Sequence, residues 1–339
     1  MSRPGPAAVA GEPAAGVVCV FVVGPTATGK TRLAVALARR FGGEIVSADS
    51  RQVYRGLDLG TGKDLAEYGV GDSRIPVHLV DTVDPGEEYH LFRFVADARA
   101  AIRAIAGRGR LPVVVGGSCL YVNALLSGYG LDGAPPAADL RRGLEGLGDD
   151  ELLEILRREA PDLAARVDRS QRRRLVRAVE IARSRATSGA APSDAIALQA
   201  LLLAPFYPRQ AVHERIAQRL DERLQAGMID EVARLHAGGL SWERLEWFGL
   251  EYRYIAQYLQ GRMGLAEMRE TLLARIRRFC KSQDVWFRKM EREGKVIHWL
   301  PAGDPLRAAD LVRRFLAGEA LPPPGIRLDE LRYGPRSNG

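Results

Sequence analysis

Eight residues near the start of the chain, Gly24-Pro25-Thr26-Ala27-Thr28-Gly29-Lys30-Thr31, match G-x-x-x-x-G-K-[ST] at all four fixed positions. That pattern belongs to a phosphate-binding loop. Gly24 and Gly29 let the backbone curl until several N–H groups face one anion. A helix starting near Lys30 adds its positive end. Lys30 contributes a full charge, and Thr31 a hydroxyl suited to Mg²⁺. The loop asks for a diphosphate-like group and is silent on what lies beyond it. A chance glycine turn is the plainer reading, but it leaves the four matched positions unexplained.

A second group follows in "SADSRQVYRGLDLGTGK", residues 47–63. Asp49 ends a strand one over from the loop, where a carboxylate is placed to take a proton from a nucleophile. An Asp that caps a turn with Ser50 is an equal alternative. Asp81, closing "VHLVD", is either a Mg²⁺-binding acid or a turn residue. In "GGSCLY", Ser118 sits at a strand-to-helix turn and reads as an N-cap. Arg215, Arg219 and Arg223 recur four apart beside an apolar stripe of Val212, Ile216, Leu220 and Leu224, so they share a helix face. The usual use of such a row is to solvate that face.

The elements that must position these groups follow from apolar patterning. "VVCVFVV" reads as a strand running into the loop, and Thr31 to Phe41 as a helix. "GEIVSAD" and "IPVHLVD" read as strands, Phe92 to Ala106 as a helix, and "LPVVVGG" as a strand. Continuous apolar strands alternating with helices predict an α/β fold, a P-loop NTPase-like parallel sheet flanked by helices. Active groups gather at the carboxyl ends of such strands. Here those ends carry the phosphate loop, Asp49, Asp81 and the Gly116-Gly117-Ser118 turn. Between 132 and 198 only helical pieces are expected, at Asp150 to Glu159 and Arg172 to Arg183. "LQALLLAP", ending at residue 205, returns to the sheet. Two long helices follow, Gln210 to Ala237 and Leu265 to Glu293. The expected division is a disordered leader at 1–16, a core at 17–131 and 199–320, a helical insertion at 132–198, and a disordered tail at 321–339.

The chain has 339 residues, 46% of them hydrophobic, as an ordinary globular protein does. A formal net charge of +7 favours an anionic partner without choosing nucleic acid, phosphate ester or membrane surface. Cys19, Cys119 and Cys280 are too scattered for a disulfide framework or a zinc site, which fits a reducing cytoplasm. The apolar run Val17 to Val23 is too short to cross a bilayer. Arg172, Arg173, Arg174 and Arg177 cluster in the insertion. Arg275, Arg277, Arg278, Lys281, Arg288 and Lys289 cluster on the last long helix. Trp242, Trp247, Phe248, Tyr252 and Tyr254 interleave with Arg244 and Arg253. Basic groups hold phosphates and aromatics stack splayed bases, although most of these aromatics read equally well as core.

Four segments, in order, resemble the tRNA dimethylallyltransferase family, also called tRNA isopentenyltransferase. They are "GPTATGKT", "ADSRQVYRGLDLGTGK", "HLVDTVDPGEEYHLFRFVADA" and "LPVVVGGSCLYVNALLSGYGL". "RRLVRAVEI" and "RFCKSQDVWFR" add weaker support. The second and fourth segments are not expected of a generic phosphate-loop kinase. The resemblance implies that the loop holds the diphosphate of dimethylallyl diphosphate, and that no ATP is split. It implies transfer of the dimethylallyl group to N6 of adenine 37, beside the anticodon, in tRNAs reading codons that start with U. Lys30, Thr31 with Mg²⁺ and the loop amides would neutralise the leaving group. Arg215, with Arg219 as second choice, would reach the diphosphate. Asp49 would deprotonate the amine, and the Ser118 hydroxyl, where the family usually has Thr, would meet the bridging oxygen. Gln52 and its neighbours would contact the flipped adenine. Contacts to the tRNA anticodon stem-loop are expected from Asp49, Ser50, Arg51, Gln52, Ser118, Arg141, Arg173, Arg174, Arg177, Arg253, Arg278 and Lys281. A cytoplasmic monomer with no membrane partner is expected.

Three departures from the family pattern fall in tRNA-contacting parts. "GY" followed by Lys or Arg appears as Phe248-Gly249-Leu250-Glu251-Tyr252-Arg253. "AKRQ" appears as Cys280-Lys281-Ser282-Gln283, and "HPND" as Asp168-Arg169-Ser170-Gln171. Two other readings stay open. An adenylate isopentenyltransferase, making a cytokinin from AMP, has no use for the long basic insertion and C-terminal helices. A phosphate-loop small-molecule kinase leaves "GGSCLY" an accident.

Overall fold

The computed structural model describes residues 16–69, 74–127, 138–187 and 196–331. Six strands form one sheet: β1 (Val17–Val23), β2 (Gly43–Ser47), β3 (Val77–His78), β4 (Leu111–Gly116), β5 (Leu198–Phe206) and β6 (Ile297–Pro301). All neighbours are parallel, in the order β3-β2-β4-β1-β5-β6. The helices before the insertion are α1 (Lys30–Phe41), α2 (Leu91–Gly107) and α3 (Cys119–Leu126). Those of the insertion are α4 (Ala138–Leu144), α5 (Asp149–Glu159), α6 (Pro161–Arg166) and α7 (Arg172–Thr187). Beyond β5 come α8 (Arg209–Gln225), α9 (Met228–Ala237), α10 (Trp242–Trp247), α11 (Leu250–Leu259), α12 (Leu265–Arg292) and α13 (Pro305–Leu316).

Alternation along the strands sorts side chains onto two faces. Cys19, Phe21 and Val23 face a core shared with α2, α8, α11 and α12. Val20 and Val22 face a second core with Leu33 and Leu37 of α1 and Leu311 and Val312 of α13. The insertion helices close on a small core of their own, including Leu144, Leu152, Leu156, Leu175 and Val179. Register brings the site together. Val23 pairs with Gly116 and Ser47 with Val115, so β1, β4 and β2 end level with one another. A Cβ on Gly116 would stand 2.2 Å from the Ala48 carbonyl oxygen, so only glycine lets β4 end against the chain leaving β2.

Several expectations are corrected. "IPVHLVD" forms only the two-residue β3, because Leu79 and Asp81 take positive φ of 63° and 53° and turn the chain away. The helix expected from Gln210 to Ala237 breaks at Ala226 and Gly227, where Gly227 has φ 95°. β6, α13 and the pair α10–α11 were not foreseen. The tail expected to be disordered from 321 is packed as far as 331. Leu328 is buried, the Asp329 N–H donates to Glu291 Oε2 at 3.0 Å, and Arg288 donates to the Leu331 carbonyl at 3.1 Å. Residues 332–339 and the leader 1–15 lie outside the described residues, as do 128–137 and 188–195 at the insertion's two ends. No helix among the described residues is long and apolar enough to cross a membrane.

Candidate active site

The phosphate loop curls as its sequence requires, with φ of 134° at Gly24, 61° at Ala27 and 79° at Gly29. The Pro25 carbonyl accepts from Thr28 Oγ1 at 2.9 Å and from Lys30 Nζ at 2.6 Å. Gly29 is the N-cap of α1 and supplies no side-chain cap, so the helix's first N–H groups are left for an anion. Burial pulls the Lys30 ammonium down to about 8; the Arg219 charge adds to this and Asp49 opposes it. Distant residues brace the loop. The Thr26 N–H donates to Gln283 Oε1 at 3.0 Å, and Gln283 Nε2 donates to the Gly117 carbonyl at 2.8 Å. One buried side chain on α12 thus ties the phosphate loop to the β4 turn.

Asp49 Oδ1 accepts from the Arg51 N–H at 2.9 Å. The turn reading and the placement beside the loop therefore hold together. The Ser118 hydroxyl does not cap α3, as its position suggested; it accepts from the Ser50 N–H at 3.2 Å. Gln52 Nε2 donates to the Gly62 carbonyl at 3.2 Å, and its Oε1 accepts from Ser47 at 3.2 Å. The "LDLGTGK" segment is pinned from two sides. Lys63 donates to the Tyr54 carbonyl at 2.6 Å, to Asp58 at 2.9 Å and to Asp81. Asp81 is thereby accounted for by an ion pair and does not line the cavity. Glu231, on α9, accepts from the N–H groups of Asp58, Leu59 and Gly60 and from the Tyr252 hydroxyl.

These elements enclose a cavity of about 330 Å³ bordered by Thr26, Lys30, Thr31, Asp49, Ser50, Arg51, Gln52, Ser118, Arg219, Arg223, Glu251 and Gln283. Its apolar wall includes Leu250, Ile276 and Phe279. Arg215, expected to reach the diphosphate, donates to the Ala27 carbonyl of the loop at 2.7 Å and lies 4.6 Å from the Tyr207 ring centre. Arg219, the second choice, borders the cavity. Gln283, Glu251 and the Gly60–Gly62 turn were not singled out from sequence, and Arg223 appeared only as the third member of a row. The repeated spacing of that row was the available signal for Arg223.

The residues expected to meet tRNA fall into separate places. Arg51 donates to the Trp247 carbonyl at 3.0 Å and lies 4.1 Å from that ring, which is 43% exposed. Arg141, Arg173, Arg174 and Arg177 line a broad groove of about 1160 Å³ between the insertion and Phe92. Most already have partners. Arg141 and Arg177 both pair with Glu180, at 2.8 and 3.0 Å, and Arg174 pairs with Asp168 at 2.5 Å. Arg173 donates to Gln171 at 3.1 Å. Arg278 and Lys281 line another groove, with Arg209 and Arg277, on the α12 face. Arg253 borders none of these and donates to the Glu246 carbonyl at 3.3 Å.

A family model described as IPP transferase matches residues 52–290, and one described as Isopentenyl transferase matches 18–82. The chain belongs to the IPP transferase family. tRNA dimethylallyltransferase 1 of Geotalea uraniireducens is 48% identical over 299 residues, 88% of this chain and 97% of that protein. tRNA dimethylallyltransferase 2 of Trichlorobacter lovleyi is 44% identical over 91% of this chain and 99% of that one. Among solved structures, the full-length tRNA isopentenylpyrophosphate transferase of Bacillus halodurans is 31% identical. It superposes with a TM-score of 0.62 over 89% of this chain and 96% of its own. A eukaryotic dimethylallyltransferase acting on tRNA, 23% identical, shares the fold at a TM-score of 0.74 over 90% and 80% of the two chains. Membership of the IPP transferase family makes the chain a transferase and sets aside the phosphate-loop kinase.

Proposed function

We propose that this transferase moves the dimethylallyl group of dimethylallyl diphosphate to N6 of adenine 37 in tRNAs that read codons starting with U. The observation that carries the reading is one cavity shared by the phosphate loop and Asp49, at the level ends of neighbouring strands. The N6–carbon bond forms as the allylic carbon–oxygen bond to diphosphate breaks, and the N6 proton passes to Asp49. The loop amides, Lys30 and Arg219 hold the departing negative charge. The Thr31 hydroxyl is a hard oxygen donor that would suit Mg²⁺. When bound, Mg²⁺ would help neutralise the leaving group. Leu250, Ile276 and Phe279 offer the short prenyl chain an apolar wall. Gln52, held by the Gly62 carbonyl and Ser47, is set to meet the adenine once it leaves its stack. Arg173, Arg174, Arg177, Arg278 and Lys281 would hold the stem-loop backbone. The enzyme is taken to act as a monomer, in the cytoplasm with its tRNA.

The test offers labelled dimethylallyl diphosphate and Mg²⁺ with four acceptors. These are a tRNA carrying adenines at 36 and 37, the same tRNA with guanine at 37, AMP, and ATP. Label is expected on the first alone. Label on AMP selects the adenylate isopentenyltransferase, and label on the guanine tRNA removes adenine 37 as the target.

A further inference from the structure

Arg223, on α8, borders the active cavity, and its Nη2 is buried with no hydrogen-bond partner. A buried donor left unmatched is costly. Burial pulls this guanidinium down to about 10, and the Arg219 charge adds to that, while Glu251 and Asp64 oppose it. Arg219 has an ion pair to Asp64 at 2.6 Å. Glu251, on α11, borders the same cavity; burial pushes its carboxyl up, and the Arg223 charge opposes the rise. The backbone makes room for both arginines. Gly62 has φ 66°, and a Cβ there would stand 1.7 Å from Arg223 Nη2 and 2.6 Å from Arg219 Nη2. A smaller cavity on the flank of the phosphate loop is bordered by Thr26, Ala27, Arg219, Arg223 and Glu251.

Lys30, Arg219 and Arg223 thus surround one cavity, and one of them keeps a nitrogen unmatched. Such a site suits an anion with several charges and several acceptor oxygens. We propose that Arg223 is a further diphosphate-binding residue, donating through Nη2 to the leaving group. This rests on the prenyl-transfer reading above. A tRNA backbone phosphate offers the same oxygens. The place of Arg223 beside Thr26 and Ala27 of the loop favours the diphosphate.

The experiment titrates inorganic diphosphate with Mg²⁺ into the wild-type chain, Arg223→Gln and Arg223→Lys. Binding of unmodified tRNA and thermal unfolding are followed in parallel. Arg223→Gln should weaken diphosphate roughly 10- to 100-fold, the loss of a charge-assisted hydrogen bond, with tRNA affinity held within about twofold. Arg223→Lys should lose less. Unchanged diphosphate affinity in a folded Arg223→Gln overturns the assignment. So does a matching loss of tRNA affinity, which would give the nitrogen to a nucleic-acid phosphate. A wild-type chain that does not bind diphosphate removes the prenyl-transfer reading and this assignment together.

Discussion

The Ser118 hydroxyl accepts the Ser50 N–H and borders the cavity, so it links the β4 turn to the segment that carries Asp49. Ser118→Ala leaves that amide without its acceptor, a cost of about 1–2 kcal/mol. If the lost bond is felt in the transition state, kcat/KM for prenylation drops roughly tenfold. Ser118→Thr keeps the hydroxyl and should stay near the wild-type value. An alanine variant at full speed would show that the hydroxyl serves neither the turn nor the leaving group. Lys30, Thr31, Asp49 and Ser118 were legible in the sequence because each lies in a short motif whose spacing is its own signal. Gln283 was not. It meets Thr26 across 257 positions of chain, and only folding creates that contact. Arg215 was legible as a cation near the loop, but not the rotamer that turns it to the Ala27 carbonyl. Of the two readings of Asp81, the structure shows the turn residue, with φ 53° and an ion pair to Lys63.

At the scale of elements, Glu44 fastens the sheet edge. It lies on β2 and is buried. Its Oε2 is 2.8 Å from His78 Nε2 on β3 and 2.7 Å from Arg108 Nη2 at the end of α2. Burial alone would raise its pKa, but the hydrogen bonds from Arg108 and His78 outweigh it and hold the carboxyl below its usual range. A carboxyl whose folded pKa is depressed adds stability above its unfolded value of 4.5, lost as pH falls through the folded one. Glu44→Gln should cost about 1–3 kcal/mol at neutral pH. It should also flatten the loss of stability below about pH 4.5, read by urea unfolding across pH. A variant that loses stability on acidification as steeply as the wild type would contradict this. The central strands were legible because parallel strands buried on both faces are apolar throughout. β6 and α13 were missed because "VIHWLP" is short and alternates. α13 is announced mainly by Asp304, which accepts from the N–H groups of Leu306 and Arg307. The break between α8 and α9 turns on Gly227, which the apolar period runs straight through.

The whole chain carries a net charge of +7, and basic residues line two grooves of different character. In the insertion groove, Arg141, Arg174 and Arg177 already face carboxylates, and a nucleic-acid phosphate must displace those partners. On the α12 face, Arg278 and Lys281 are exposed. Removing either exposed cation should lower the slope of log K against log salt for tRNA binding by about 1, whereas Arg141→Ala should change it less. Filter binding between about 50 and 200 mM salt reads the slopes. Equal slopes for Lys281→Ala and the wild type would take the α12 face out of the tRNA interface. The central claim is narrower than this surface: Asp49 takes the N6 proton while the loop beside it holds the diphosphate. Single-turnover transfer from labelled dimethylallyl diphosphate to saturating tRNA, comparing Asp49→Asn with the wild type, tests it most directly. The transfer step should slow by roughly 10²- to 10⁴-fold while tRNA and diphosphate affinities stay within about twofold. Transfer at the wild-type rate would contradict it.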